Sequence, residues 1–255
     1  MKRVIFDNNP LVEVILQFRF PTILSINANE PVEFQEKIRQ DYPIYQPGIE
    51  NQQEIQIVAN NNGFLPSIVN KQQNKNYSFI SVDGKYKINL TSSFISLSTV
   101  GYERWEKFYS HFTEALKAFI DIYKPAFFER IGLRYIDAIS KEKLGLQDQK
   151  WKNLIKEKWL GPLALIEDQQ AIVSKTESEF ILNDGITRLK IHTGLGKINN
   201  SPENVFVVDT DYIYINNIDK YKYNDIVINL HKHSKFFIDN VITEELYKAM
   251  NPRDI

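Results

Sequence analysis

The chain has 255 residues, with 31 Lys+Arg against 32 Asp+Glu and a formal net charge of −1. Charge this balanced excludes a general nucleic-acid binder and an acidic tail. At 43% hydrophobic and 13% aromatic the sequence is too apolar for a disordered chain, and its length supplies one large core or two small ones.

The first element is a strand. From Val12 to Phe20 apolar Val12, Val14, Leu16, Phe18 and Phe20 alternate with Glu13, Ile15, Gln17 and Arg19, and Pro21 ends the run. Period two over that length marks a half-buried strand. Glu30 to Asp41 reads as a helix with Pro31 in its first turn, Pro43 beyond its end, and Phe34 and Ile38 as a narrow stripe. Glu54 to Ala59 reads as a strand running into the turn Asn60-Asn61-Asn62-Gly63. Tyr77–Val82 and Tyr86–Leu90 flank Asp83-Gly84, a hairpin signature because both residues tolerate positive φ. Phe94 to Val100 continues the meander. Trp105, Tyr109, Phe112, Leu116, Phe119 and Tyr123 then recur at helical spacing until Pro125.

The order restarts after Pro125. Phe127 to Ile139 predicts a long strand, Trp151 to Trp159 a short helix, and Ala171 to Leu182 an extended stretch. Asp184-Gly185 predicts a second hairpin leading into Ile186–His192, and Asn204 to Ile215 alternates as a strand. Tyr223, Ile226, Leu230, Phe237 and Val241 mark a second long helix. Thr243-Glu244-Glu245 opens a terminal one, with Thr as N-cap and acids in the first turn.

Two similar halves emerge, each with strand, helix, antiparallel meander and long helix. Phe18-Arg19-Phe20 matches Leu133-Arg134-Tyr135, Asp83-Gly84 matches Asp184-Gly185, and Phe119-Ile120-Asp121 matches Phe237-Ile238-Asp239. The expected fold is therefore α+β: antiparallel sheets with helices packed on one face. A first repeat spans 1–124 and a second 125–255, packed as one globular unit.

Three stretches also carry a resemblance: Asn9-Pro10-Leu11-Val12-Glu13-Val14 leading into Phe18-Arg19-Phe20, then Arg130-Ile131-Gly132-Leu133-Arg134-Tyr135-Ile136, and Phe236 to Leu246. They resemble a sporadically distributed bacterial protein family of about this length and unassigned function. The resemblance implies no activity. Its patchy occurrence implies a mobile or defence-related gene neighbourhood.

The chemistry on offer is sparse. There are 0 Cys, so neither a disulfide framework nor a Cys-based zinc site forms. The start turns polar before a signal-length apolar stretch, and no window approaches the roughly 18 apolar residues of a membrane span, so a cytoplasmic location is expected. Asp209 and Asp211, two apart in a strand, share a face and offer two carboxylates for Mg²⁺ or Mn²⁺. No third acid is indicated, so the preferred reading is pairing with Arg or Lys across a strand. Arg130 and Arg134 flank Gly132 on one strand face, with Arg19 as the counterpart of Arg134. They can receive a carboxylate or phosphate, or pair with Glu13, Asp137 or the Asp209/Asp211 strand; pairing is preferred.

His231 and His233 are two apart on a helix, unsuited to one metal, and read as solvated. Thr193-Gly194-Leu195-Gly196-Lys197 lacks phosphate-loop spacing and reads as a turn. Most aromatics fall at core spacing, with Tyr212 and Tyr214 as candidate interface residues. The leading reading is a non-enzymatic module that binds another protein, with no cofactor and no metal. The alternatives are a metal-dependent enzyme acting on a phosphate-bearing substrate through Asp209 and Asp211, and a small-ligand binder with a cavity between sheet and long helices.

Overall fold

The computed structural model describes residues 4–50, 53–60, 63–70, 74–166, 173–197 and 202–254. A short strand β1 (Val4–Phe6) precedes β2 (Leu11–Arg19), the alternating run expected from the sequence. Two short helices follow, α1 (Leu24–Ala28) and α2 (Val32–Ile38), then β3 (Ile44–Glu50) and a separate two-stranded ribbon of β4 (Gln53–Asn60) and β5 (Gly63–Asn70). The meander is β6 (Asn74–Ile80), β7 (Tyr86–Leu90) and β8 (Phe94–Thr99), and it leads into α3 (Trp105–Tyr123). The second half has β9 (Phe128–Ile139), α4 (Trp151–Leu154), α5 (Glu157–Leu160), a 3-10 turn Gly161–Leu165, β10 (Thr176–Ile181), β11 (Thr187–Gly196) and β12 (Val205–Ile218). Helices α6 (Asn224–Val241) and α7 (Glu244–Ala249) and strand β13 (Pro252–Asp254) complete it; β13 pairs with β1.

The fold is mixed α+β, built on a nine-stranded antiparallel sheet ordered β10-β11-β12-β9-β2-β8-β7-β6-β3. Strands β2 and β9 meet at its centre, with Leu16 opposite Leu133. Outward from that seam the order is β8, β7, β6 on one side and β12, β11, β10 on the other. In each half the last strand lies beside the first, and the long helix follows the last strand. Strand order is one property; whether the two halves superpose residue for residue is another.

Both hairpins use the same device. Gly84 and Gly185 each sit at φ +70, a conformation that costs a side-chain-bearing residue roughly 1–2 kcal/mol. The Asp83 carboxylate accepts from the Lys85 N–H and the Ser81 hydroxyl; the Asp184 carboxylate accepts from the N–H groups of Ile186 and Thr187.

One face of the sheet is closed by helices. Val14, Leu16, Phe18, Ile131, Leu133, Phe206 and Val208 all point to it and are buried. Phe18 ties the halves together, packing on Phe112 of α3 at 5.2 Å, Phe128 of β9 at 4.9 Å and Tyr223 before α6 at 5.3 Å between ring centroids. Leu116 and Leu230 are 0% and 1% exposed, as expected of positions on the apolar stripes of the two long helices. The stripe of α3 is wider than expected: Phe108, Ala115 and Ile120 are buried while Trp105, Tyr109 and Tyr123 lie at its margin. Lys124 ends α3 in the left-handed region (φ 48), its N–H donating to the Ile120 carbonyl, and Pro125 prevents continuation. The Thr243 hydroxyl caps α7, accepting from the Leu246 N–H.

Several expectations need revision. The helix expected over Trp151–Trp159 is two single turns. Between them Ile155 bridges Ile242, Lys156 N–H donates to the Val241 carbonyl, and Thr243 N–H donates to that of Leu154, so tertiary bonds take the backbone groups a continuous helix needs. Thr193 to Gly196 is the end of strand β11 rather than a turn, because β12 pairs along it as far as Val205. Strands β1, β3, β5 and β13 and helix α1 add to the expected set. Asn61 and Asn62 of the expected turn, and residues 171–172 of the expected extended stretch, lie outside the described residues. Among the described residues no helix is long and apolar enough to cross a membrane.

Candidate functional site: the open face of the sheet

The alternation that buries one face sends the other set of side chains to a face on which no described helix packs. Strand β9 contributes Arg130, Gly132, Arg134 and Ile136 to it, facing Ile215, Ile213, Asp211 and Asp209 of β12 in register. Both arginines reach diagonally rather than straight across. Arg134 lies opposite Asp211 but grips Asp209, with Nε donating to Oδ1 at 2.7 Å and Nη2 to Oδ2 at 2.6 Å. This is a two-pronged guanidinium–carboxylate bond. Arg130 lies opposite Ile215 but reaches Asp211, with Nη2 donating to Oδ2 at 3.1 Å, while Nη1 donates to the Gln17 side-chain oxygen on β2 at 2.7 Å. Gly132 makes this possible: a Cβ there would stand 3.1 Å from Arg130 Nη2, so any side chain crowds the guanidinium lying across it.

The charges continue outward. His192 on β11 stands between two carboxylates, Nδ1 3.4 Å from Asp209 and Nε2 3.3 Å from Glu177 on β10. Lys190 faces Asp211 in register and lies 3.8 Å from Glu179, which is also 3.6 Å from Arg188. Strand by strand the sign alternates: positive on β9, negative on β12, positive on β11, negative on β10.

Burial and charge compete inside this lattice. Burial raises the Asp211 carboxyl above its ordinary range, with Arg130 and Arg134 pulling it back. Burial likewise lowers Arg130, opposed by Asp211. For this pair desolvation outweighs attraction, as is common for buried ion pairs. Arg134 is raised, first by its hydrogen bonds to Asp209, and its side chain stays 41% exposed.

Four of the five residues singled out from the sequence, Arg130, Arg134, Asp209 and Asp211, are thus brought together, bonded to one another. The fifth, Arg19, lies opposite Arg130 on β2 and repels it, and among the described residues it makes no ion pair. Asp137, offered as an Arg partner, is on the wrong face. It is buried under the helices, its Oδ2 has no hydrogen-bond partner among the described residues, and burial raises its pKa to about 7. The sequence reading missed His192, Glu177, Lys190, Glu179 and Gln17. Counting back from the Asp184-Gly185 turn places Glu177 opposite His192 and Glu179 opposite Lys190, so the signal was present once the hairpin register was applied.

Other expectations shift too. Tyr212 is 1% exposed, its hydroxyl donating to the His233 carbonyl, so it belongs to the core rather than to an interface. His231 is not simply solvated: its ring stacks on Trp105 at 4.1 Å and its Nδ1 lies 2.9 Å from the Tyr135 hydroxyl. His233 stacks on Tyr212. An open groove of about 410 Å³ runs along Trp105, Glu106, Tyr109, Ser110, Thr113 and Glu114 of α3. Among the described residues no three His, Asp or Glu side chains converge as a metal site would require. No protein-family model matches the chain, and no curated protein matches it either.

Proposed function

We propose that this protein is a non-enzymatic binding module that presents the open face of its sheet to another protein. One observation carries the reading. The ionisable groups with most catalytic promise, Asp209, Asp211, Arg130 and Arg134, are bonded to one another on the face the helices leave uncovered. A carboxylate held in two guanidinium bonds is a poor base and a poor metal ligand, since either role needs its lone pairs. A rigid, self-neutralised polar surface suits recognition, where fixed charges confer specificity and orientation. The absence of cysteine fits a reducing, cytoplasmic setting, and the family resemblance adds a mobile or defence-related bacterial locus as the context.

The test is photo-crosslinking in the native host. A photoreactive phenylalanine derivative is placed at Ile136, on the open face, or at Glu114, on the outer side of α3. A discrete polypeptide adduct from position 136 and none from 114 is expected. No adduct from 136, or the same adduct from both, contradicts the proposal.

A further inference from the structure

The two edges of the nine-stranded sheet are built differently. Edge strand β3 carries Pro47 and Gly48 opposite Tyr77 and Asn76. Proline lacks the N–H that an added strand needs, so this edge is blunted. Edge strand β10, Thr-Glu-Ser-Glu-Phe-Ile, has neither residue.

Two hydrogen bonds bracketing the β10–β11 pair fix which way its backbone points. Ser174 N–H donates to the Leu195 carbonyl at 3.2 Å and Leu182 N–H to that of Thr187 at 2.8 Å, each between residues directly opposite in register. In an antiparallel pair such positions alternate. The even-numbered residues of β10 therefore turn their N–H and C=O groups to β11, and Glu177, Glu179 and Ile181 turn theirs outward. Among the described residues nothing bonds to those outward groups. The side chains there are equally uncovered: Phe180 is 48% and Ile181 66% exposed.

Charge specifies the occupant. The open face alternates in sign from β9 to β10 and stops on a negative strand, with Glu177 and Glu179 being 59% and 44% exposed. The next strand in that series is positive. We propose that β10 is a docking edge that takes up an extended segment of the partner by strand addition, with Lys or Arg at alternate positions against Glu177 and Glu179. The intervening side chain of that segment is apolar and lies beside Phe180 on the opposite face. Strand addition draws affinity from main-chain bonds and specificity from alternate side chains. The inference rests on the protein-binding reading and names the chemistry of the partner segment.

A fluorescein-labelled peptide Lys-Val-Lys-Val-Lys-Val-Lys serves as the probe, with fluorescence anisotropy on the full chain and amide exchange at Glu177, Glu179 and Ile181. Binding with slowed exchange at those three amides is expected. Replacing the peptide lysines by glutamate, or changing the protein to Glu177→Gln/Glu179→Gln, weakens binding about tenfold or more. Ile181→Pro, which removes one outward N–H and leaves the β11 ladder intact, does the same, and the Gln variant keeps the test valid should the proline disturb folding. Glu114→Gln, on the outer side of α3 away from the sheet, binds the peptide like wild type, separating the edge from a general charge effect. No binding, or binding within about twofold in the Gln variant, overturns the docking edge. Failure of crosslinking at Ile136 with peptide binding intact counts against the open-face reading alone.

Discussion

The two flanks of the sheet share a strand order about the β2–β9 seam and carry different chemistry on their open side. The β9-β12-β11-β10 flank is a lattice of interlocked charges. The β2-β8-β7-β6 flank sets Glu13, Arg19 and Lys87 among hydroxyls and amides: Ser96 and Ser98, both buried, and Ser78, whose hydroxyl donates to Asn89 at 2.7 Å. At the seam, Arg134 holds a carboxylate and Arg19, its counterpart by sequence, holds none among the described residues. On the helix side the flanks agree, since both bury aliphatic and aromatic side chains under one long helix. Packing against helices constrains residue size and polarity closely. An uncovered face constrains neither, so differences of function collect there.

This contrast is sharpened first on the side where the flanks agree. Leu116→Ala and Leu230→Ala each lose a fully buried side chain and are expected to cost roughly 2–5 kcal/mol. Chemical denaturation checks both; a loss near 0.5 kcal/mol in either helix would show that the halves are not packed alike. We keep the duplication as a proposal with its own check. Superposing 1–124 on 125–255 should bring Asp83-Gly84 onto Asp184-Gly185 and α3 onto α6.

The next largest effect concerns Asp137, a polar group on the side reserved for the core. Its carboxyl is raised from 3.8 to about 7 by burial, so the folded state holds a proton that the unfolded chain releases. Stability from this group is complete below about pH 4 and is lost as pH rises to about 7, by up to roughly 4 kcal/mol. Asp137→Asn is expected to flatten that decline and to melt higher than wild type at pH 8. Melting curves across pH 4–8 decide; an unchanged decline would place its cause elsewhere.

Smaller effects separate the flanks directly. Arg134→Met strands Asp209, whose side chain is 11% exposed, at a cost of roughly 1–3 kcal/mol, tempered by the partial exposure of Arg134. Arg19→Met removes a cation that opposes Arg130 and is expected to change stability by no more than about 0.5 kcal/mol. Equal losses for the two would erase the distinction between the flanks.

How far the sequence announces this architecture follows from the same division. Strict alternation in Val12–Phe20 and the Asp-Gly turns specify strands and hairpins locally, so β2, β6, β7 and β11 were legible. The α3 stripe was legible through its spacing. Strand β3 was hidden by Pro47-Gly48, which reads as a breaker and is tolerated because β3 is an edge. The Trp151–Trp159 helix was over-read because backbone bonds to Val241 and Thr243 override local propensity. In the site, period two placed Asp209 with Asp211 and Arg130 with Arg134 on shared faces. The diagonal grip of Arg134 on Asp209 needed the β9–β12 register, a non-local quantity. Asp137 was misassigned because one strand position decides between an open face and a core.

The central claim is that the Asp209–Asp211 lattice is a self-paired recognition surface and not a metal-dependent active site. The direct measurement is thermal melting with and without millimolar Mg²⁺ or Mn²⁺, on wild type and on Asp209→Asn/Asp211→Asn. A bound metal at a hundredfold excess over Kd would stabilise the fold by about 2.7 kcal/mol. The account predicts no metal-dependent shift in either protein, with the double variant melting lower than wild type at every metal concentration. A rise in melting temperature that requires both the metal and the two aspartates would contradict it.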